Sequence, residues 1–265
     1  MTDRERAALA AEIASAVAVA AAPHACECRQ PSAVSETAMG WSGLRGRLDL
    51  AFQRPDASNS DFEQFLSLAG AGGFRSVCVP PRWTAKAVRA LADRPTGVSS
   101  IVGFPNGASL TPVKCAEAEC LLRLGADELW MVADIGGLRS GDLDAVFVDI
   151  RAVAELAQCR DAPLNVVLEI PLLTRRQKVE ACVVAKLAGA AAAVSTSGVA
   201  GSSTDAADID LMRRTIGGEV EIVAAGGLES ADEAQRMLDS GAARICTSAT
   251  PELFNSLAHA SHRSS

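Results

Sequence analysis

From about Leu44 onward, short apolar or β-branched runs alternate with helical stretches eight times. Such alternation is the mark of a parallel α/β fold, whose strands are covered by helices. The strands are expected at Arg47–Leu50, Ser76–Val79, Ser99–Gly103, Glu128–Ala133, Asn165–Ile170, Ala192–Thr196, Glu221–Ala225 and Arg244–Thr247. Helix starts between them carry side chains that accept from free backbone N–H groups: Ser58-Asn59, Thr174, Thr204 and Ser230. Gly125, Gly189 and Gly241 each stand between a helix and a strand, where a left-handed residue is wanted. Eight repeats predict closure into a (β/α)8 TIM barrel of the α/β class rather than an open doubly wound sheet. No Gly-x-Gly-x-x-Gly follows the first strand, so a dinucleotide fold has no support.

Residues 1–43 read as an N-terminal helical extension and 44–265 as the barrel domain. Within the extension, Ala8 to Ala22 is apolar and Ala-rich, with Leu9, Ile13 and Val17 on one helical stripe. Glu12 interrupts this run, and Asp3 and Glu5 replace the positive flank a signal peptide needs. No stretch is long and apolar enough to span a bilayer, so the expectation is a cytoplasmic protein with no membrane partner.

Charge and composition exclude further classes. A net charge of −7 argues against nucleic acid, which requires basic surface. The chain has no Tyr, and His24, His259 and His262 lie near its two ends, so no imidazole reaches the barrel to hold a catalytic metal. No metal and no cofactor are expected. Cys78, Cys182 and Cys246 sit in apolar patterns and read as buried free thiols in a reducing compartment. Cys26 and Cys28 near His24 form C-x-C with no second pair, which is not a zinc framework.

Barrels place chemistry at the C-terminal ends of their strands. Asp49 ends strand one, Cys78 strand two, Asp134 follows strand four and Glu169 lies on strand five. Carboxylates converging on one pore end raise one another's pKa and supply a general acid or base. Gly226-Gly227 follow strand seven, and Thr247-Ser248 strand eight; glycines and hydroxyls there can cradle an anion with backbone N–H groups. These residues equally serve as tight turns and caps.

The motifs in order resemble the deoxyribose-phosphate aldolase family. They are Leu48-Asp49 with Arg54-Pro55-Asp56-Ala57, Val77-Cys78-Val79 with Pro81-Arg82, and Val102-Gly103-Phe104-Pro105 with Gly107. Lys114 with Glu117 and Glu119, Gly125-Ala126-Asp127-Glu128, Met131-Val132 and Ser140-Gly141-Asp142 continue the match. Leu168-Glu169, Leu172-Leu173-Thr174, Ala188-Gly189-Ala190, Ser195-Thr196-Ser197-Gly198 and Gly226-Gly227 complete it. The resemblance implies a small-molecule substrate and a homo-oligomer, dimer or tetramer. It also implies an imine-forming lysine on strand six, a second lysine on strand seven and an aspartate on strand four. The corresponding residues here are Val194, Val223 and Trp130. A Schiff base needs a primary amine, and Val has no nucleophile. The chain's four lysines, Lys86, Lys114, Lys178 and Lys186, all fall on expected helices. The assisting tail tyrosine of some members has no counterpart. Asp134 stands where the family commonly has Asn, and Glu229, where it often has Arg, opposes a phosphate dianion.

Two readings follow. One is a repurposed enzyme running lysine-independent lyase, isomerase or cyclase chemistry on a small, relatively apolar carbonyl or anionic substrate. Asp49, Asp134 and Glu169 would be its acids and bases and Cys78 a polar neighbour, while Trp130, Val194, Val223, Thr196, Ser197, Gly198, Gly226, Gly227, Thr247 and Ser248 would bind substrate. The other is a non-catalytic relative that binds a small molecule or partner protein. Retained ionisable groups at strands one, four and five favour the enzyme, because idle buried carboxylates cost stability.

Overall fold

The computed structural model describes residues 1–21, 44, 46–198, 201, 203–228 and 230–248. The Cys26–Cys28 pair, the three His, Glu229 and most of the polar part of the extension lie outside the described residues.

Helix α1 (Asp3–Ala21) comes first, followed by β1 (Leu48–Ala51), α2 (Asn59–Gly72), β2 (Ser76–Val79), α3 (Thr84–Leu91), β3 (Gly97–Val102) and α4 (Thr111–Arg123). The second half runs β4 (Glu128–Val132), α5 (Ile135–Ser140), α6 (Leu143–Gln158), β5 (Leu164–Val167), α7 (Arg175–Leu187), β6 (Ala192–Val194), α8 (Ala206–Ile216), β7 (Glu221–Ala225), α9 (Ala231–Asp239) and β8 (Arg244–Thr247). Short 3-10 turns at Pro81–Trp83 and Ile170–Leu172 precede α3 and α7. All eight strands are parallel and close in sequence order, β8 pairing β1 through Asp49 and Cys246. The expected barrel is the fold found.

Local chemistry explains the element ends. Ser58 and Thr174 form capping boxes with Asp61 and Gln177, and Ser230 accepts from the Glu233 amide. The cap of α8 is Asp205 rather than the expected Thr204, whose hydroxyl instead bonds Ala225 O and Ser195 Oγ. Gly125, Gly189 and Gly241 adopt φ of 94°, 95° and 108°, as the helix-to-strand turns require. Strand five stops at Val167 rather than Ile170, because Glu169 turns left-handed (φ 48°, ψ 48°) and leaves the ladder. Strand six likewise ends at Val194.

Helix α1 lies against α7 and α8, burying Leu9, Ala16 and Ala20, with Ile13 and Val17 half-buried beside them. Arg6 reaches Asp144 at 2.6 Å, Glu5 pairs with Arg151, and Arg175 donates to Ala20 O at 2.8 Å. The stripe read from the sequence thus faces the barrel's own helices. No described helix is long and apolar enough to cross a membrane.

Registered partners on neighbouring strands share a face. Arg244 and Asp49 both turn into the pore, as do the positions registered with them. Around the N-terminal end of the pore, Arg244 donates to Asp49 Oδ2 and Asn165 Oδ1, each at 3.1 Å, and lies 3.5 Å from Glu128 Oε2. Its Nε is 2.9 Å from Glu221 Oε2, an ion-pair contact too poorly aligned to count as a hydrogen bond. Arg75 bridges Glu128 at 2.5 Å and Asp49 at 3.4 Å, while Ser76 Oγ donates to Asp49 at 2.8 Å. Burial pushes the Asp49 carboxyl up, against the pull of the Arg244 and Arg75 charges and the Ser76 hydrogen bond. Removing one member of such a group leaves a buried charge uncompensated. Arg244→Met should therefore cost about 3–5 kcal/mol in urea unfolding, and adding Asp49→Asn to it should recover part of the loss. Single and double variants of equal stability would disprove the coupling.

Candidate functional site

A cavity of about 670 Å³ opens at the C-terminal ends of β1, β6, β7 and β8. Its lining includes Ala51, Ala225, Cys246 and Trp130 from the strands, the last being 1% exposed. One side is formed by Thr196-Ser197-Gly198, Gly226-Gly227-Leu228 and Thr247-Ser248. The other comes from the segment after β1, Phe52-Gln53-Arg54, and from Asp61, Gln64, Phe65 and Leu68 on α2.

Each wall has a local cause. Gly198, Gly226 and Gly227 all have positive φ (79°, 85° and 67°). A Cβ on Gly227 would come within 2.7 Å of Ser203 Cβ, so only glycine lets these two segments approach. On the other side Phe52 and Phe65 stand 4.8 Å apart between centroids, and Phe62 stacks on Trp83 at 4.4 Å behind them. This aromatic group makes the wall stiff and apolar. Arg54 bonds Asp56 at 3.2 Å and lies 3.7 Å from Asp61. The Ser58 hydroxyl and amide hold the Asp61 carboxyl below its usual range.

The groups expected to bind substrate divide cleanly. Trp130, Thr196, Ser197, Gly198, Gly226, Gly227, Thr247 and Ser248 line the cavity together. Val194 and Val223 face the pore in register with each other but are wholly buried and do not line it. Their row runs from Val132 through Val167 to Arg244, and its apolar members close the barrel interior by packing.

The groups expected to act as acids and bases stand elsewhere. Asp49 is the second residue of β1, in the N-terminal charge network, not at the strand's C-terminal end. Cys78 is wholly buried on β2 in register with Ala51, its thiol pushed up to about 12 by burial, so it stays protonated near neutral pH. Asp134 caps α5, accepting from the Gly137 amide at 3.1 Å, a helix start not picked out from the sequence. Glu169 accepts from Thr196 Oγ1 at 2.6 Å and the Ser197 amide at 2.7 Å. It therefore holds the loop that lines the cavity without lining the cavity itself. None of these four residues is in the lining.

Sequence reasoning missed the α2 wall and Arg54. A signal existed: Asp61, Gln64, Phe65 and Leu68 follow the spacing of one helical face. What the pattern lacked was any sign that this face turns to the strand ends rather than to the barrel flank. The most informative polar group is Trp130 Nε1, a buried donor with no hydrogen-bond partner among the described residues. Arg54 and Asp61 are the only charged side chains in the described lining, and no lysine is among it. Among the described residues no cluster of His, Cys, Asp and Glu suits a metal ion.

Comparison with known proteins places this arrangement. The DeoC/LacD family aldolase model matches residues 48–248. A deoxyribose-phosphate aldolase of Streptococcus pneumoniae is 40% identical over 206 residues, covering 78% of this chain and 93% of its own. That of Enterococcus faecalis is 38% identical over 202 residues, covering 76% and 91%. Among solved structures, the tetrameric deoxyribose phosphate aldolase from Aeropyrum pernix superposes with a TM-score of 0.77 at 25% identity, covering 83% of this chain and 92% of that one. With its barrel, its cavity loops and most of its length matched, this chain belongs to the DeoC/LacD family of aldolases.

Proposed function

We propose that this barrel is a lysine-independent member of its family, an enzyme of lyase, isomerase or cyclase type acting on a small carbonyl-bearing or anionic compound in the cavity above Trp130. One observation carries the reading: none of the chain's four lysines lines the cavity. Each has a partner on the outside of the barrel. Lys86 pairs with Glu63 at 2.8 Å, Lys178 with Asp208 at 2.5 Å and Lys186 with Glu219 at 2.7 Å. Lys114 is fully buried, its Nζ 2.5 Å from Asp149 Oδ2 and donating to Val132 O at 3.3 Å. An amine held in this way has neither the access nor the freedom to attack a carbonyl. The resemblance puts the family's reacting amines where Val194 and Val223 stand, and both are apolar and buried.

A second reading, a non-catalytic relative that binds a small molecule, rests on a separate observation. Asp49, Asp134 and Glu169 all have protein partners that account for their retention. Binding without turnover fits that placement. In the enzyme reading, acid–base work would require Glu169 to reach substrate through the loop it holds, or Asp134 to leave its helix cap. The Aeropyrum pernix relative is described as a tetramer, and we extend self-association to this chain. Leu110 and Val113, 74% and 54% exposed on and beside α4, give it an apolar face. A monomer in sedimentation velocity at micromolar concentration would remove that extension.

Borohydride reduction in the presence of acetaldehyde or another small aldehyde should leave the intact mass unchanged, apart from slow labelling of exposed amines. Rapid stoichiometric capture on one lysine would overturn the lysine-independent reading. Thiol chemistry supplies an independent check on Cys78 as a reacting group. Because its pKa is raised, Cys78 stays neutral and inert until pH approaches about 12. Cys182 and Cys246 are raised and buried in the same way. In the folded protein at about pH 8.5, near the ordinary thiol value, iodoacetamide should modify exposed Cys120 and Cys159 and spare these three. Peptide mapping that finds Cys78 alkylated as fast as Cys120 would restore it as a nucleophile.

A further inference from the structure

The charged groups around the cavity already answer one another. Arg54, the one cationic side chain in the described lining, is 3.2 Å from Asp56 and 3.7 Å from Asp61, which lines the same wall. The Ser58 hydrogen bonds that lower the Asp61 pKa keep that carboxylate charged. On the glycine side, donors that an anion would need are engaged. Thr196 Oγ1 and the Ser197 amide donate to Glu169 at 2.6 Å and 2.7 Å, and the Gly198 amide donates to Thr196 Oγ1 at 3.1 Å. Thr247 Oγ1 donates to Leu228 O at 3.2 Å. The buried Glu169 carboxylate thus stands directly behind the loop that an anion would have to touch. An anion entering here loses water and gains neither an unpaired cation nor those amides, and burying a charge without such partners is costly. Beyond uncharged polar groups such as the Gln53 and Gln64 amides, the lining is apolar. Phe52, Phe65 and Leu68 form one wall, and Ala51, Ala225 and Cys246 stand at the strand ends, the Cys246 thiol kept neutral by burial. Leu68 is only partly buried, so apolar surface is left for a ligand to cover.

We propose that the cavity selects an uncharged ligand, a small aldehyde or ketone with an apolar body, and discriminates against phosphate esters and carboxylates. The body lies on the wall of Phe52, Phe65 and Leu68, and the carbonyl oxygen is left to uncharged donors, which side-chain amides supply. This rests on the reading that the cavity works without a lysine, and it narrows the ligand of that reading to its uncharged form. Asp61 and Leu68 are here specificity-determining residues: the first turns anions away, and the second covers the ligand's body.

The test compares benzylacetone with three analogues. Hydrocinnamate replaces its methyl group by a carboxylate oxygen, phenethyl phosphate carries a phosphate ester on the same ring and spacer, and butanone lacks the ring. Affinities come from ligand-observed NMR titration of the full chain at neutral pH. Benzylacetone should bind about tenfold tighter than either anion and about tenfold tighter than butanone. Asp61→Asn keeps an acceptor for the Ser58 amide; it should improve both anions about threefold and leave benzylacetone unchanged. Leu68→Gln should weaken benzylacetone about fivefold. The wild-type affinities decide the point if a variant fails to fold. Either anion binding as tightly as benzylacetone would overturn the proposal, as would benzylacetone binding no tighter than butanone. Both results leave the lysine-free reading standing. Absence of saturable binding by all four compounds would overturn the proposal too. A borohydride-trapped lysine adduct would remove the lysine-free reading, whereas the preference for ketone over anion, which needs no amine, is decided by the titrations alone.

Discussion

The Arg244 guanidinium is the constraint on which the pore depends. It stands on the last strand and reaches Asp49 on the first, Glu128 on the fourth and Asn165 on the fifth. One planar, permanently charged group thus contacts strands on several sides of the barrel. Arg75 enters from just outside β2 and shares both carboxylates. The network concentrates the pore's charges at the N-terminal end, among groups that satisfy one another. Above it, the row of Val132, Val167, Val194 and Val223 needs only to fill volume.

That division explains why three carboxylates that invite a catalytic reading contribute differently. Asp49 belongs to the charge network, Asp134 ends a short helix, and Glu169 ties β5 to the loop after β6. Glu169 is the most telling of them, because a non-glycine residue holds a left-handed backbone there. Such a conformation costs about 1 kcal/mol or more and persists only where the surroundings enforce it. Here the enforcement is visible in two short hydrogen bonds to Thr196 and Ser197, both of which line the cavity. The strain therefore shapes the binding loop even though the carboxylate does not line the cavity.

The fold was legible because its information is local and repeated. Alternation of apolar runs and helices set the strand count, and Gly125, Gly189 and Gly241 marked the returns with the one residue type at ease in a left-handed turn. The loops after β6, β7 and β8 were legible for the same reason: their glycines and hydroxyls follow the strands directly. Depth along the pore was not legible. Asp49 and Ala51 sit two residues apart and face the same way, yet the first joins the charge network and the second lines the cavity. A strand shift of two residues preserves the facing while changing the layer, so alternation cannot separate them. Val194 and Val223 pose the same problem, facing the pore while packed out of the cavity's lining. The α2 wall and the helix capped by Asp134 depend on tertiary placement, which no periodicity encodes.

Trp130 shows what this reveals about function. In a pore filled by valines and alanines, an indole satisfies volume as well as any large side chain, and its 1% exposure fits simple packing. Packing alone gives no use for the N–H, and Tyr or Trp buried in proteins ordinarily finds a partner for its polar end. Phe would fill much of the same space without that cost, and the chain uses Phe freely in the neighbouring wall, at Phe52, Phe62 and Phe65. The unpartnered indole N–H is therefore a cost that packing by itself does not account for.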